Sequence, residues 1–308
     1  MRIFVTGASG WIGSAVVQEL LAAGHQVAGL ARSDAATARI EAAGATAVRG
    51  DLDDPECLAN AAADSDGVVH LAFQHEIAWS GNFAAAGEAD RRAVEAMGAA
   101  LAGTERPFVL ASGVIGLAIG RTATESDGLI PDAMTRANPA GVRAATALLA
   151  LSLRGVGIRS SIVRYAPTVH GDGDHGFISA LITIAREHGA AGYVDDGANR
   201  WPAVHRSDAA RVTRRAVESA PGGSVIHAVG EDGIAYRQIA EAISRHLGIP
   251  TISIPRDQAV EHFGFLGHFV GIDTPTSSAI TRDLLNWEPT GPGLIADLDE
   301  GHYFSSER

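Results

Sequence analysis

The feature that most restricts this chain is the regular alternation of short apolar runs with helical patterns through its first half. Strand-like segments occupy residues 3–6, 26–31, 46–48, 67–71, 108–112 and 158–164. Between them a 3.6-residue period predicts helices over 11–23, 35–43, 57–63, 83–101 and 140–153. Strand and helix in strict turn make βαβ units, which demand a parallel sheet covered by helices on both faces. The runs "GVVHLAF" and "PFVLAS" are apolar throughout, as strands buried on both faces must be. The expected fold class is α/β: a doubly wound parallel sheet over residues 1–168, also receiving segments near 204–230. Beyond Tyr165 the texture changes. "APTVHGDGDHGF" reads as loop and "YVDDGANRWPAVH" as irregular, with helices following over 207–218 and 234–247. Residues 169–308 are expected to build mainly a smaller C-terminal cap over the carboxyl ends of the strands, where open α/β sheets bind ligands.

Composition removes several classes of function. A net charge of −12 opposes a nucleic-acid or membrane partner, because phosphate contacts need clustered cations. Cys57 is the single cysteine, so no internal disulfide can form and disulfide exchange is excluded; it is expected as a small buried hydrophobe. No apolar run reaches about 18 residues, and the first strand begins at Arg2 with no room for a signal peptide, so a cytoplasmic location is expected. All 24 basic residues are arginine. Without lysine there is no Schiff-base chemistry, no pyridoxal-phosphate linkage and no Walker-type phosphate loop. No G-x-S-x-G elbow occurs either, which argues against a hydrolase.

"TGASGWIG" lies between the first strand and the first helix, with Gly7, Gly10 and Gly13 spaced by three. Such a turn lets the backbone approach a pyrophosphate while the helix N-terminus supplies N–H donors and positive partial charge. Ser9, Trp11 and Ile12 belong to the same turn. The second strand ends "VAGLARSD", with Ala31 where an NAD-preferring site would carry Asp or Glu. Arg32 and Ser33 instead offer a cation and a hydroxyl to a 2′-phosphate, each charge-assisted bond being worth about 1.5–3 kcal/mol. NADP is therefore the expected cofactor and NAD the alternative. Asp34 either weakens that preference or caps the next helix.

With these motifs the chain resembles the extended short-chain dehydrogenase/reductases, in their NAD-dependent epimerase/dehydratase group. The resemblance covers nearly the whole length, through "TGASGWIG", "GDLDD", "VVHLAF", "VLASG", "VRYAPTVHGDGD", "PAVHRSDAA" and "LLNWEPT". It implies a Rossmann fold with Asp51 and Leu52 at the adenine, and with Leu71, Ala72 and Phe73 beneath the cofactor. It further implies Ser112 at the reacting centre and Tyr165, Pro167, Thr168 and Val169 beside the nicotinamide. Members of the group commonly pair through four helices, so a homodimer through the helices at 83–101 and 140–153 is expected.

The group's chemistry uses Tyr-x-x-x-Lys on the helix before the sixth strand, four-residue spacing placing both side chains on one face. Here that helix reads "NPAGVRAATALLAL" and has neither. The four tyrosines, Tyr165, Tyr193, Tyr236 and Tyr303, all follow it. General acid–base assistance supplies about 10²–10⁴ in rate, so an active enzyme must recover it elsewhere. Arg143, near the lysine position, either holds the ribose or phosphate or faces solvent; it cannot act as a base. Ser112 either bonds a substrate carbonyl or is a plain strand-end serine. Tyr165 is expected to pack rather than donate a proton. His170, Asp172, Asp174 and His175 crowd "HGDGDHG"; a metal is weighed there and not assigned, and His175 is the candidate substrate contact. His205 is expected to order the seam between domains and Trp201 to pack there. "HFGFLGHF" (262–269) either lines an apolar pocket or buries its phenylalanines in a cap helix. The leading expectation is an NADP-dependent oxidoreductase of atypical mechanism, acting on a small carbonyl, imine or alkene. The alternative is a non-catalytic NADP-binding redox sensor. Sugar-nucleotide epimerisation or dehydration ranks last, because it leans hardest on the tyrosine.

Overall fold

The computed structural model describes residues 1–118, 120–128 and 139–305. Its first half alternates strand and helix as the sequence pattern requires. The elements are β1 (Arg2–Thr6), α1 (Trp11–Ala22), β2 (Gln26–Ala31), α2 (Asp34–Ala42), β3 (Thr46–Arg49), α3 (Pro55–Ala63), β4 (Gly67–His70), α4 (His75–Trp79), α5 (Phe83–Leu101), β5 (Pro107–Gly113), α6 (Pro139–Ser152) and β6 (Arg159–Tyr165). Short polar residues start the helices. Ser33, Asp54 and Asn82 accept hydrogen bonds from first-turn amides of α2, α3 and α5, and Pro55 fits the first turn of α3 because that turn has no use for its missing N–H.

The second half continues with β7 (Thr168–His170), α7 (Phe177–His188), β8 (Ala191–Val194), β9 (Arg200–His205), α8 (Arg206–Ser219), β10 (Ser224–Ala228), β11 (Glu231–Ala235), α9 (Tyr236–Leu247), β12 (Thr251–Ile254), α10 (Ala259–Phe263), α11 (Ala279–Leu285) and α12 (Leu294–Asp299). The seven-stranded sheet runs β10-β6-β5-β4-β1-β2-β3, with every pairing parallel. Alternate residues of each strand enter different cores. Ile3, Val5, Val69, Val109 and Val163 pack under α1 and α8, while Phe4, Val68, Phe108, Leu110 and Ile162 face the other layer with Met97 and Leu101 of α5. Strand order turns back beside β1, between β1 and β4, which opens a crevice at the strands' carboxyl ends.

The segments read as loop and irregular are corrected by the structure. β7 and β9 pair in parallel, and β11 joins β9 antiparallel, making a small three-stranded sheet. β7 has only three residues among Gly, Asp and His, too few for a period-2 pattern to show. The helix expected from 234 starts at Tyr236, because β11 takes the residues before it. A separate core gathers Ile178, Trp201, Tyr236, Ile239, Phe263 and Leu298. Among the described residues no helix is long and apolar enough to cross a membrane.

Candidate functional site

The glycine turn between β1 and α1 is built for close backbone approach. Gly7 has φ +68°, and a Cβ there would meet the Ala72 amide nitrogen at 2.9 Å. At Gly13 a Cβ would fall 1.9 Å from the Gly7 carbonyl oxygen, so only glycine lets α1 start against the turn. Gly10, in extended conformation, precedes the helix. A Cβ on it would meet nothing but the Gly7 oxygen, at 3.2 Å, so the space before it is open. First-turn amides of a helix, here those of Trp11 and Ile12, lack intrahelical acceptors, which suits a diphosphate. The residues present therefore fit a dinucleotide.

At the end of β2, Arg32 and Ser33 stand together. Arg32 is exposed and donates to Glu76 of α4 at 3.3 Å. Ser33 accepts from the Ala36 amide as the cap of α2, leaving its O–H to donate elsewhere. Asp34, for which two roles stood open, does not cap α2; its carboxylate accepts from Arg49 at 2.7 Å. Asp51 is exposed and accepts from the Asp53 amide, and Leu52 is buried beside it. Asp53 in turn is held by Gln74 and Arg92.

The floor of the crevice is a buried polar string. The Thr6 hydroxyl oxygen accepts from the Leu71 and Ala72 amides, so its own proton goes to His70 Nδ1 at 2.6 Å. His70 Nε2 lies 3.2 Å from the Asp90 carboxylate, both residues being buried. Phe73 follows this floor and carries the Arg143 guanidinium 4.2 Å from its ring centroid. Arg143 also donates to the Ala111 carbonyl at 2.8 Å, which fixes it beside the end of β5 and Ser112. The solvent-facing alternative for Arg143 is thus corrected: α6 aims it inward, where burial lowers its pKa and the Asp90 carboxylate opposes that drop. Ser112 is half-buried, and its hydroxyl has no hydrogen-bond partner among the described residues.

Sequence reasoning missed His75, which opens α4. Its amide donates to the Phe73 carbonyl at 2.9 Å, and its ring meets that of Phe73 edge-on at 5.1 Å. Burial lowers its pKa first and Arg143 second, while a hydrogen bond to the Phe73 backbone and the Asp90 charge work the other way. The available signal was a histidine two residues past an aromatic that ends the "HLAF" run.

The remaining candidates lie on the other wall. Tyr165 is buried, and Thr213 accepts from its hydroxyl at 2.6 Å, since the Thr213 proton goes to Ala209. Burial raises its pKa strongly, so it carries no mobile proton at neutral pH. Pro167 leads into β7, where Thr168 donates to the Pro202 carbonyl and the Val169 carbonyl accepts from the Trp11 indole at 2.7 Å. Arg206, also missed, lies 4.1 Å over the Trp11 ring and donates to the Trp11 carbonyl and to Ser14. His175 is exposed and stands edge-on to Trp11 at 5.7 Å; no contact joins it to Ser112 or Arg143 among the described residues. The "HGDGDHG" side chains diverge. His170 bonds Asp297 at 2.8 Å, and Asp174 accepts from Tyr303 and the Gly176 amide. His205 caps α8, while Trp201 is buried and donates to Ile272. Of the 262–269 stretch, Phe263 is buried and Phe265 stacks on Phe83. Cys57 is half-buried, its sulfur 3.5 Å from the Arg49 carbonyl.

A doubly wound parallel sheet with a glycine turn opening its first helix, beside a second core, is the architecture of the extended short-chain dehydrogenase/reductases. The chain belongs to the NAD dependent epimerase/dehydratase family, the match running over residues 3–228. It is 43% identical to the uncharacterized protein C2A9.02 of Schizosaccharomyces pombe, over 99% of this chain and 100% of that one. It is 44% identical to the uncharacterized protein YLL056C of Saccharomyces cerevisiae, over 97% and 98%. Among solved structures it is similar in fold to DesIV, a dTDP-glucose 4,6-dehydratase from Streptomyces venezuelae crystallised with NAD and TYD. The TM-score there is 0.77 and the identity 22%, over 97% of this chain and 96% of that one.

Proposed function

We propose that the chain is an NADP-dependent oxidoreductase acting on a small carbonyl, imine or activated alkene. The observation that carries this reading is the Arg143 guanidinium, held on Phe73 and Ala111 beside the Ser112 hydroxyl at the strand ends. Gly7, Ser9, Gly10, Trp11, Ile12 and Gly13 would receive the diphosphate, and Leu52 with Asp51 the adenine. Arg32 and Ser33 would take a 2′-phosphate; the binding of Asp34 by Arg49 supports that, since it draws a carboxylate's charge away. When bound, the cofactor supplies or accepts a hydride. Ser112 would donate a hydrogen bond to the substrate's polar atom, and Arg143 would hold the ribose as a fixed cation, the part lysine plays in relatives. Arginine cannot stand in for the missing tyrosine, because it stays charged at neutral pH. A sugar-nucleotide epimerase or dehydratase needs that acid–base group most, which favours simple reduction.

Two measurements test the reading. Arg32→Ala is expected to weaken NADPH binding about tenfold or more while changing NADH binding little, one charge-assisted bond being lost. Equal effects on both would remove the NADP assignment. NADPH oxidation across aldehydes, ketones, imines and enones should reveal a substrate class. NADPH binding with background rates throughout would instead favour the redox sensor.

A further inference from the structure

The proton that a reduction requires has no obvious source in Ser112 or Arg143; the hydroxyls of Tyr165 and Tyr303 bond Thr213 and Asp174, and Tyr193 and Tyr236 pack in the second core. His75 is the titratable side chain that packs on the same aromatic ring as Arg143. Its ring packs edge-on against Phe73, and the same Phe73 ring carries the Arg143 guanidinium. Three side chains from two distant stretches, 73–75 and 143, thereby meet beside the end of β5. His75 is exposed. Among the described residues, the charged groups acting on it include Arg143 from α6 and Asp90 from α5. Its chain neighbour Glu76 is engaged by Arg32.

We propose that His75 is the proton donor of this site, in place of the absent tyrosine, with Arg143 as its positioning cation. The inference rests on the oxidoreductase reading above. In carbonyl reduction, a hydride from the reduced nicotinamide forms the new C–H bond and the C=O π pair moves onto oxygen. The imidazolium N–H bond breaks as its proton forms the O–H bond. The nicotinamide ends oxidised, the substrate ends as the alcohol, and neutral His75 regains a proton from water. A neutral ring serves the reverse reaction as base. The acid form is the one that works in reduction, so kcat/KM for reduction falls as pH rises through the pKa of His75, which lies below the ordinary 6.5.

His75→Gln is expected to lower kcat/KM about 10²–10³-fold and flatten that pH slope, while leaving the NADPH dissociation constant within about twofold. A histidine NMR titration of the cofactor-free protein supplies a second readout. The His75 signal, identified by its loss in H75Q, should titrate below 6.5 in the native chain and move upward in R143Q, where the neighbouring cation is gone. If H75Q keeps the native rate and pH slope, or if R143Q leaves the titration unmoved, the proposal is overturned with the oxidoreductase reading intact. If the native protein binds NADPH yet turns over no member of the carbonyl panel, that reading falls and this proposal with it.

Discussion

Arg143 and Tyr165 show how little a residue's type says until its partners are known. Both could be placed near a nicotinamide by position in the sequence. Arg143 proves to be packed on Phe73 and tied to a strand carbonyl, which fits a positioning role. The hydroxyl of Tyr165 is spent on Thr213, whose own proton goes to Ala209. Tyr165→Phe removes a donor and leaves a buried hydroxyl oxygen short of one, a loss of about 1–2 kcal/mol. A urea titration should show that loss, and the pH dependence of turnover should stay as it is. A change in the pH profile would return Tyr165 to the chemistry. The cap of α2 falls to Ser33, which the sequence offered only to a 2′-phosphate, and not to Asp34, for which a capping role stood open. A serine before a helix is a cap by local rule, whereas the Asp34–Arg49 pair depends on β3 lying beside β2.

Among the elements, most of those of the nucleotide half were readable because they show a period and are punctuated by glycine or a capping residue; α4, five residues long and without a side-chain cap, was not. α5 spans Phe83–Leu101, the very range that periodicity gives. β7 and β11 were not readable, being short strands whose partners come from distant sequence. The start of α1 depends on a close approach that sequence spacing only hints at. Gly13→Ala would set a methyl group 1.9 Å from the Gly7 oxygen, so the helix must move off the turn. Overpacking of this kind costs about 1–3 kcal/mol. The expected result is a Tm lowered by several degrees together with lost NADPH binding, read by thermal shift with and without cofactor. Native binding in that variant would show that the turn does not hold the diphosphate.

For the molecule as a whole, folding leaves several histidines averse to charge. His75, His205, His227 and His262 all have lowered pKa values, with burial the first cause in each. The unfolded chain takes up these protons near pH 6.5 while the folded chain does not, so below that pH the unfolded state binds more protons. Stability is therefore complete above about pH 6.5 and declines as pH falls toward the lowered folded values. The urea midpoint should drop between about pH 7.5 and 5.5, and part of the drop should vanish in His227→Gln. A midpoint flat across that interval would contradict the burial argument.

What the sequence determined by itself was the doubly wound sheet, the glycine turn that opens it and the loss of the tyrosine–lysine pair. Periodicity, backbone sterics and residue identity act locally, and they need no knowledge of neighbours. The tertiary structure alone decided that Phe73, His75 and Arg143 meet, that Arg206 covers Trp11 and that the Tyr165 hydroxyl bonds Thr213. Those outcomes come from side chains far apart in the chain finding partners as the layers close, and burial then sets what each can do.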